Sequence, residues 1–196
     1  MKELLIKFVS AMLAGLCISV GCVVNLQVGG VAGAVLFTFG LITVVHYKYA
    51  LFTGTAGFIA SWREFAELFL IILIGNFVGC MLTALLADLA IPDLMDKAAV
   101  MSDAREGATA HGVFLRAMFC GFLMTTAVKF AREGRWLPLI FAVPVFILAG
   151  FYHSIADAFY LNAAWQWTPK LALNYTLIVL GNFVGCNIYR ARPEKD

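Results

Sequence analysis

The sequence predicts an all-α membrane protein: six transmembrane helices in two inverted three-helix repeats, with helices two and five broken. Three observations carry this. Apolar residues make up 62% of the 196-residue chain and charged ones 13%, about half the charge of a typical soluble domain. Six apolar stretches, roughly 5–24, 28–45, 65–87, 112–128, 136–152 and 171–188, approach the ~20 residues that cross a hydrocarbon core. Finally, Gly75-Asn76-Phe77-Val78-Gly79-Cys80 recurs letter for letter as Gly181-Asn182-Phe183-Val184-Gly185-Cys186, 106 residues on. The same offset pairs Phe8 with Phe114, Ala11 with Ala117, Met12 with Met118 and Gly15 with Gly121, which marks an internal duplication.

Stretches of this length suit helices, which satisfy their own backbone polar groups in lipid. The first three spans match the last three. An odd number of crossings per repeat makes the second half enter from the opposite side, the arrangement of many transporters with a pathway at the repeat interface. The start, Met1-Lys2-Glu3-Leu4-Leu5, looks like a secretory signal. Its kinship with the internal fourth span makes it a structural segment instead. Span two runs into Ala50-Leu51-Phe52-Thr53-Gly54-Thr55-Ala56-Gly57, apolar but rich in Gly and Thr. Such backbone is tolerated at membrane depth only where protein buries it or it lines a cavity. The 106-residue offset sets 47–50 against 153–156, so a second interruption is expected in span five, where Pro144 and Gly150 also stand. The whole chain, 1–196, reads as one transmembrane domain. Repeat one covers about 1–88, an acidic external loop about 88–111, repeat two about 112–190, and a short cytoplasmic tail 191–196. The Gly75/Gly79 and Gly181/Gly185 pairs allow close helix approach and are expected to pack span three on span six, or one subunit on another.

Lys and Arg counts give the orientation. A cytoplasmic N-terminus puts ten on that side (Lys2, Lys7, Lys48, Arg63, Lys129, Arg132, Arg135, Arg190, Arg192, Lys195) and four opposite (Lys97, Arg105, Arg116, Lys170). Both termini are therefore expected in the cytoplasm and the protein in the plasma (inner) membrane. The net charge of +2 is a topology signal and points to no nucleic acid. The five cysteines lie in apolar spans without a CxxC or other metal spacing, so packing is their expected role and no metal or cofactor is implied.

His153 is the polar residue most deeply set in the apolar spans. An ionisable residue there is by default functional, and its reference pKa near neutrality suits proton exchange with a weak acid. It stands in Val143-Pro144-Val145-Phe146 followed by Gly150-Phe151-Tyr152-His153-Ser154-Ile155-Ala156, which resembles the fifth span of formate/nitrite transporters. Leu51-Phe52-Thr53-Gly54, Phe37-Thr38-Phe39-Gly40-Leu41 and the two Gly-Asn-Phe-Val-Gly stretches are similar to further motifs of that family. The resemblance runs from residue 1 to about 189. It implies an aquaporin-like fold and a homopentamer with one pore per subunit. By matching motifs, Phe37, Leu41 and Phe146 would line an external hydrophobic constriction and Leu51 and Phe52 a cytoplasmic one. Thr53 and His153 would be the polar groups between them. The chain departs from the family pattern at Ala50, where an acidic residue is common, and at Thr55 and Thr125, where asparagine is frequent. Thr109 stands where the family often has lysine, and Lys48 and Arg116 have no assigned partner.

The expected function is passage of small monovalent anions or their conjugate acids (formate-, nitrite- or hydrosulfide-like) with protonation near His153. The partners are that substrate, protons, the lipid bilayer and further copies of the chain. A substrate-binding membrane subunit of a multi-component importer is the alternative, suited by length and hydropathy. An enzyme is not expected, because His46, His111 and His153 fall at different depths.

Overall fold

The computed structural model describes residues 1–91 and 93–191, and all their regular structure is helical. Helix α1 (Lys2–Val28) turns sharply through Gly29 and Gly30, φ +70° and +56°, into α2 (Gly30–His46). The short α3 (Phe52–Thr55) follows and tightens into a 3-10 turn, Ala56–Phe58. Helix α4 (Trp62–Ala90) contains a π turn at Leu68–Leu73. Then come α5 (Leu94–Gly107), α6 (Ala110–Arg132), α7 (Leu137–Leu148), α8 (Ser154–Ala163) and α9 (Pro169–Asn187). Local chemistry sets several boundaries. Ser61 Oγ accepts the Glu64 N–H at the start of α4, and Thr168 Oγ1 accepts the Leu171 N–H at the start of α9, where Pro169 opens the helix.

Four of these helices are long and apolar enough to cross a membrane: Lys2–Val28, Trp62–Ala90, Ala110–Arg132 and Pro169–Arg190. Helices α2 and α7, with 17 and 12 residues, are equally apolar but shorter. The protein is therefore an all-helical integral membrane protein. The connection at 88–111 differs from the loop expected of it. Most of it is α5, with Asp96 in its first turn and Arg105 in its last, signs that suit the helix dipole. Lys97 bonds Asp93 at the head of this helix and holds its carboxyl below the usual carboxylate range. Most of the expected tail, 192–196, lies outside the described residues.

The repeated glycines act at a contact other than the expected one. A Cβ on Gly79 would overlap the Met12 carbonyl oxygen, and one on Gly185 the Met118 carbonyl oxygen. From the facing helices, Gly15 and Gly121 meet the backbones of Asn76 and Asn182 in the same way. These small residues join α1 to α4 and α6 to α9, within each repeat. Span three is not fastened to span six by them.

The duplication also changes register. In α1, α4, α6 and α9 the 106-residue offset holds, but around the interruptions the equivalent residues are 102 apart. Helix α2 ends with Tyr49 N–H on Val44 O (2.9 Å) and Lys48 N–H on Val45 O (3.2 Å). Helix α7 ends with Phe151 N–H on Phe146 O (2.9 Å) and Gly150 N–H on Ile147 O (3.1 Å). Both are left-handed C-terminal caps, with φ +57° at Lys48 and +66° at Gly150. Glycine takes this conformation freely, whereas a lysine there costs about 1–2 kcal/mol. The counterpart of His153 is therefore Leu51, not a residue in 47–50. The cause is length: repeat one has four more residues than repeat two between the close-approach glycine and the cap (Gly15 to Lys48 against Gly121 to Gly150), and four fewer between the cap and the motif asparagine (Lys48 to Asn76 against Gly150 to Asn182), about one helical turn each way.

Candidate functional site

The two motif asparagines hold the short helices in place. Both are completely buried. Asn76 Oδ1 accepts the Phe52 N–H (2.8 Å), while Nδ2 donates to Ala11 O (2.7 Å) and Ala50 O (2.9 Å). Asn182 repeats the pattern on Ser154 N–H, Ala117 O and Tyr152 O, each at 2.8 Å. Each amide thus satisfies an orphan donor at the first turn of a short helix and a carbonyl just before it that no helix ladder reaches, Ala50 O or Tyr152 O, and ties both to the interior of a long helix at Ala11 O or Ala117 O. The following cysteines cross between repeats: Cys80 Sγ lies 3.3 Å from Ile155 O and Cys186 Sγ 3.5 Å from Thr53 O.

With the first turns of α3 and α8 fixed, their polar side chains meet. Thr53 Oγ1 is 2.9 Å from His153 Nε2, and both residues are buried. His153 also caps its own helix, its Nδ1 accepting the Ala156 N–H at 3.2 Å. A nitrogen that accepts carries no proton, so in this hydrogen-bond network the ring proton is assigned to Nε2, directed at Thr53. The rings of Phe146 and His153 stack at 5.5 Å, and Phe37 meets Phe146 edge-on at 5.8 Å. Leu41 lies one turn beyond Phe37 on the same buried face of α2. Beside Thr53 in the chain, Leu51 caps α3 and Phe52 opens it, its ring 5.4 Å from that of Phe69 in the π turn. All seven candidate residues are thus buried, and measured contacts join Phe37, Phe146, His153 and Thr53 in one line.

A charged pair adjoins the histidine. Arg105, reaching in from α5, donates through Nε to Asp157 Oδ1 at 2.8 Å. Its guanidinium lies over the rings of Tyr152 (4.7 Å) and Tyr160 (5.5 Å). Asp157 Oδ2 is buried and has no hydrogen-bond partner among the described residues. Arg105, Asp157, Phe146 and His153 line a cavity of about 60 Å³. Arg116 approaches this cluster from outside, its Nη1 3.3 Å from the Tyr152 hydroxyl. A larger cavity, about 410 Å³, is lined by Leu51 together with Lys48, Tyr49, Gly54, Arg132 and Trp136. Arg132 Nη2 donates to Gly54 O at 2.9 Å, and its guanidinium lies 4.2 Å from the Phe58 ring centre. Among the described residues no three His, Cys, Asp or Glu side chains cluster as a metal site requires.

Sequence reasoning missed Arg105 and Asp157 as a pair, and it read the two asparagines only as part of a packing motif. A repeated Asn inside an apolar span was the available signal, since a polar group there needs internal partners. Arg105 gave none, standing in an acidic stretch that read as solvated.

Comparison with known proteins puts this arrangement in a class, the helical channels and transporters of membranes. The chain belongs to the formate/nitrite transporter family, whose model, described as "Formate/nitrite transporter", matches residues 2–191. Among solved structures it resembles an "FNT family ion channel" with TM-score 0.86 and 19% identity, over 94% of this chain and 87% of that one. It also resembles a "Pentameric formate channel with formate bound", with TM-score 0.83 and 21% identity, over 96% and 95% of the two chains. No curated protein matched it significantly.

Proposed function

We propose that the protein is a pentameric channel in which every subunit passes a small monovalent anion as its conjugate acid. The observation that carries this reading is the buried Thr53–His153 contact, 2.9 Å, set among apolar side chains of both repeats. In this reading six spans form two inverted repeats in one domain, with both termini cytoplasmic in the plasma (inner) membrane. Phe37, Leu41 and Phe146 form the external constriction, and Leu51 and Phe52 form the cytoplasmic one. Membership of the family and the likeness to a formate-bound pentamer support it.

The chemistry follows from solvation. A bare anion in a narrow apolar ring loses far more hydration energy than its neutral acid does. The N-terminus of α8, with its partial positive charge, favours the anion at the polar step. There the anion accepts the hydrogen bond from His153 Nε2–H and from the Thr53 hydroxyl, gains a proton and leaves as the acid. Nδ1 is held as an acceptor by Ala156 N–H, so any proton given up by Nε2 has to be returned to Nε2. The net proton therefore comes from bulk water along the pathway, and anion and proton travel together.

The test is flux in proteoliposomes. Formate, nitrite, hydrosulfide and a short carboxylate are offered at two pH values. At least one is expected to cross, faster at the lower pH, without an added protein. Tight binding of one ligand with no flux would favour an importer subunit, a reading that nothing among the similar proteins supports. Native mass spectrometry in mild detergent is expected to give the pentamer, and only monomers or dimers would contradict it.

A further inference from the structure

Lys48 occupies a position that its own repeat partner fills with glycine. The two caps match hydrogen bond for hydrogen bond, yet one holds Gly150 at φ +66° and the other a lysine at φ +57°. A strained residue that the fold does not need is a pointer to function. Lys48 lines the 410 Å³ cavity that Leu51 also lines, and Arg132 lines it from α6. Nearby cations are neutralised: Lys7 and Arg63 pair with Glu67, and Arg135 pairs with Glu133. Lys48 and Arg132 form no ion pair among the described residues, and Arg132 is fixed instead by Gly54 O and the Phe58 ring. Two carboxylates, Glu64 and Glu67, share a second cavity with these cations. They are already engaged, Glu64 by the Ala60 N–H and Glu67 by Lys7 and Arg63.

We propose that Lys48 and Arg132 form an anion-capture site at this mouth, which concentrates a small monovalent anion against Leu51 before it takes up its proton. The inference rests on the proposed pathway and names the residues that feed it. Two positive charges on exposed side chains at the rim of a cavity that buried Leu51 also lines raise the local anion concentration there. The strain at Lys48 is the conformational consequence of placing an ammonium at that rim. In the opposite repeat Gly150 holds the matching turn, and the nearby cation, Arg116, comes from α6 rather than from the turn itself, so the two mouths are built differently.

The test is initial formate flux in each direction, across vesicles in which the orientation of the protein has been determined. Lys48→Gly removes the charge and relieves the strain, so it is expected to fold with equal or higher melting temperature. Its KM for formate arriving at the Lys48 mouth is expected to rise about fivefold with kcat in that direction little changed, and kcat/KM from the opposite mouth falls by the same factor, as a passive pathway requires. Lys48→Arg should restore the low KM, and added salt should raise KM in wild type more than in Lys48→Gly. Arg132→Gln should raise the same KM. Wild-type flux with KM unaltered by Lys48→Gly and Arg132→Gln would overturn the capture site alone. Absence of flux from the wild type with any small anion would overturn the channel reading beneath it.

Discussion

Thr53 and His153 stand 100 residues apart in the chain, in different repeats, and their side chains meet at 2.9 Å. Neither arrives by its own helix alone. Asn76 fixes the backbone at Phe52, Asn182 fixes it at Ser154, and the next side chains then face each other. Because His153 Nδ1 already accepts the Ala156 N–H, Thr53 is the partner of the remaining ring N–H.

Thr53→Val tests that pairing. The shape is kept, but the buried ring N–H loses its acceptor, a loss of about 1–3 kcal/mol. Reduced thermal stability and a fall in anion flux are expected, with Thr53→Ser near wild type. Thr53→Val with wild-type stability and flux would show that the contact carries neither.

Replacing either motif asparagine should loosen the short helix it holds. Asn76→Leu and Asn182→Leu each remove three hydrogen bonds. Each is expected to cost about 1–3 kcal/mol, at the lower end if the unfolded chain in detergent finds other partners. Faster hydrogen exchange confined to 50–56 in the first variant and 152–158 in the second is the distinguishing measurement. Exchange that changes equally in both regions for both variants would contradict separate tethering.

The Arg105–Asp157 pair is expected to behave as a buried ion pair. Both side chains are at least nine-tenths buried. Arg105→Met strands the carboxylate and should destabilise by about 3–5 kcal/mol, whereas adding Asp157→Leu should recover most of the loss. Melting temperatures of the two single variants and the double variant measure the coupling. Simple additivity would show that the pair is not coupled.

Much of this was legible in the chain because duplication writes each structural device twice. The repeated Gly-Asn-Phe-Val-Gly-Cys hexapeptide located spans three and six, and His153 drew notice as a titratable group in an apolar run. The four-residue change of register was hidden, because it arises between Gly15 and Lys48 and is reversed before Asn76, so an ungapped offset that matches at both ends cannot show it. Arg105 was hidden too. Its burial depends on α5 folding back onto α8, a tertiary contact that leaves no periodic trace in a polar segment. The glycine pairs read correctly as close-approach residues, but a small residue does not say which helix it faces, so the partner was misassigned.

The most direct test of the central claim is weak-acid flux across pH by wild type, His153→Asn and His153→Phe, normalised to folded protein. Phe at 153 keeps an aromatic ring to stack on Phe146, so the fold should persist, but it abolishes the donor to Thr53. Flux is expected to drop about tenfold to a hundredfold, the equivalent of roughly 1.4–3 kcal/mol, and to lose much of its pH dependence. His153→Asn, which can still cap α8 and hydrogen-bond, should fall less. Unchanged rates with an unchanged pH profile in His153→Phe would reduce His153 to a structural residue and contradict the account.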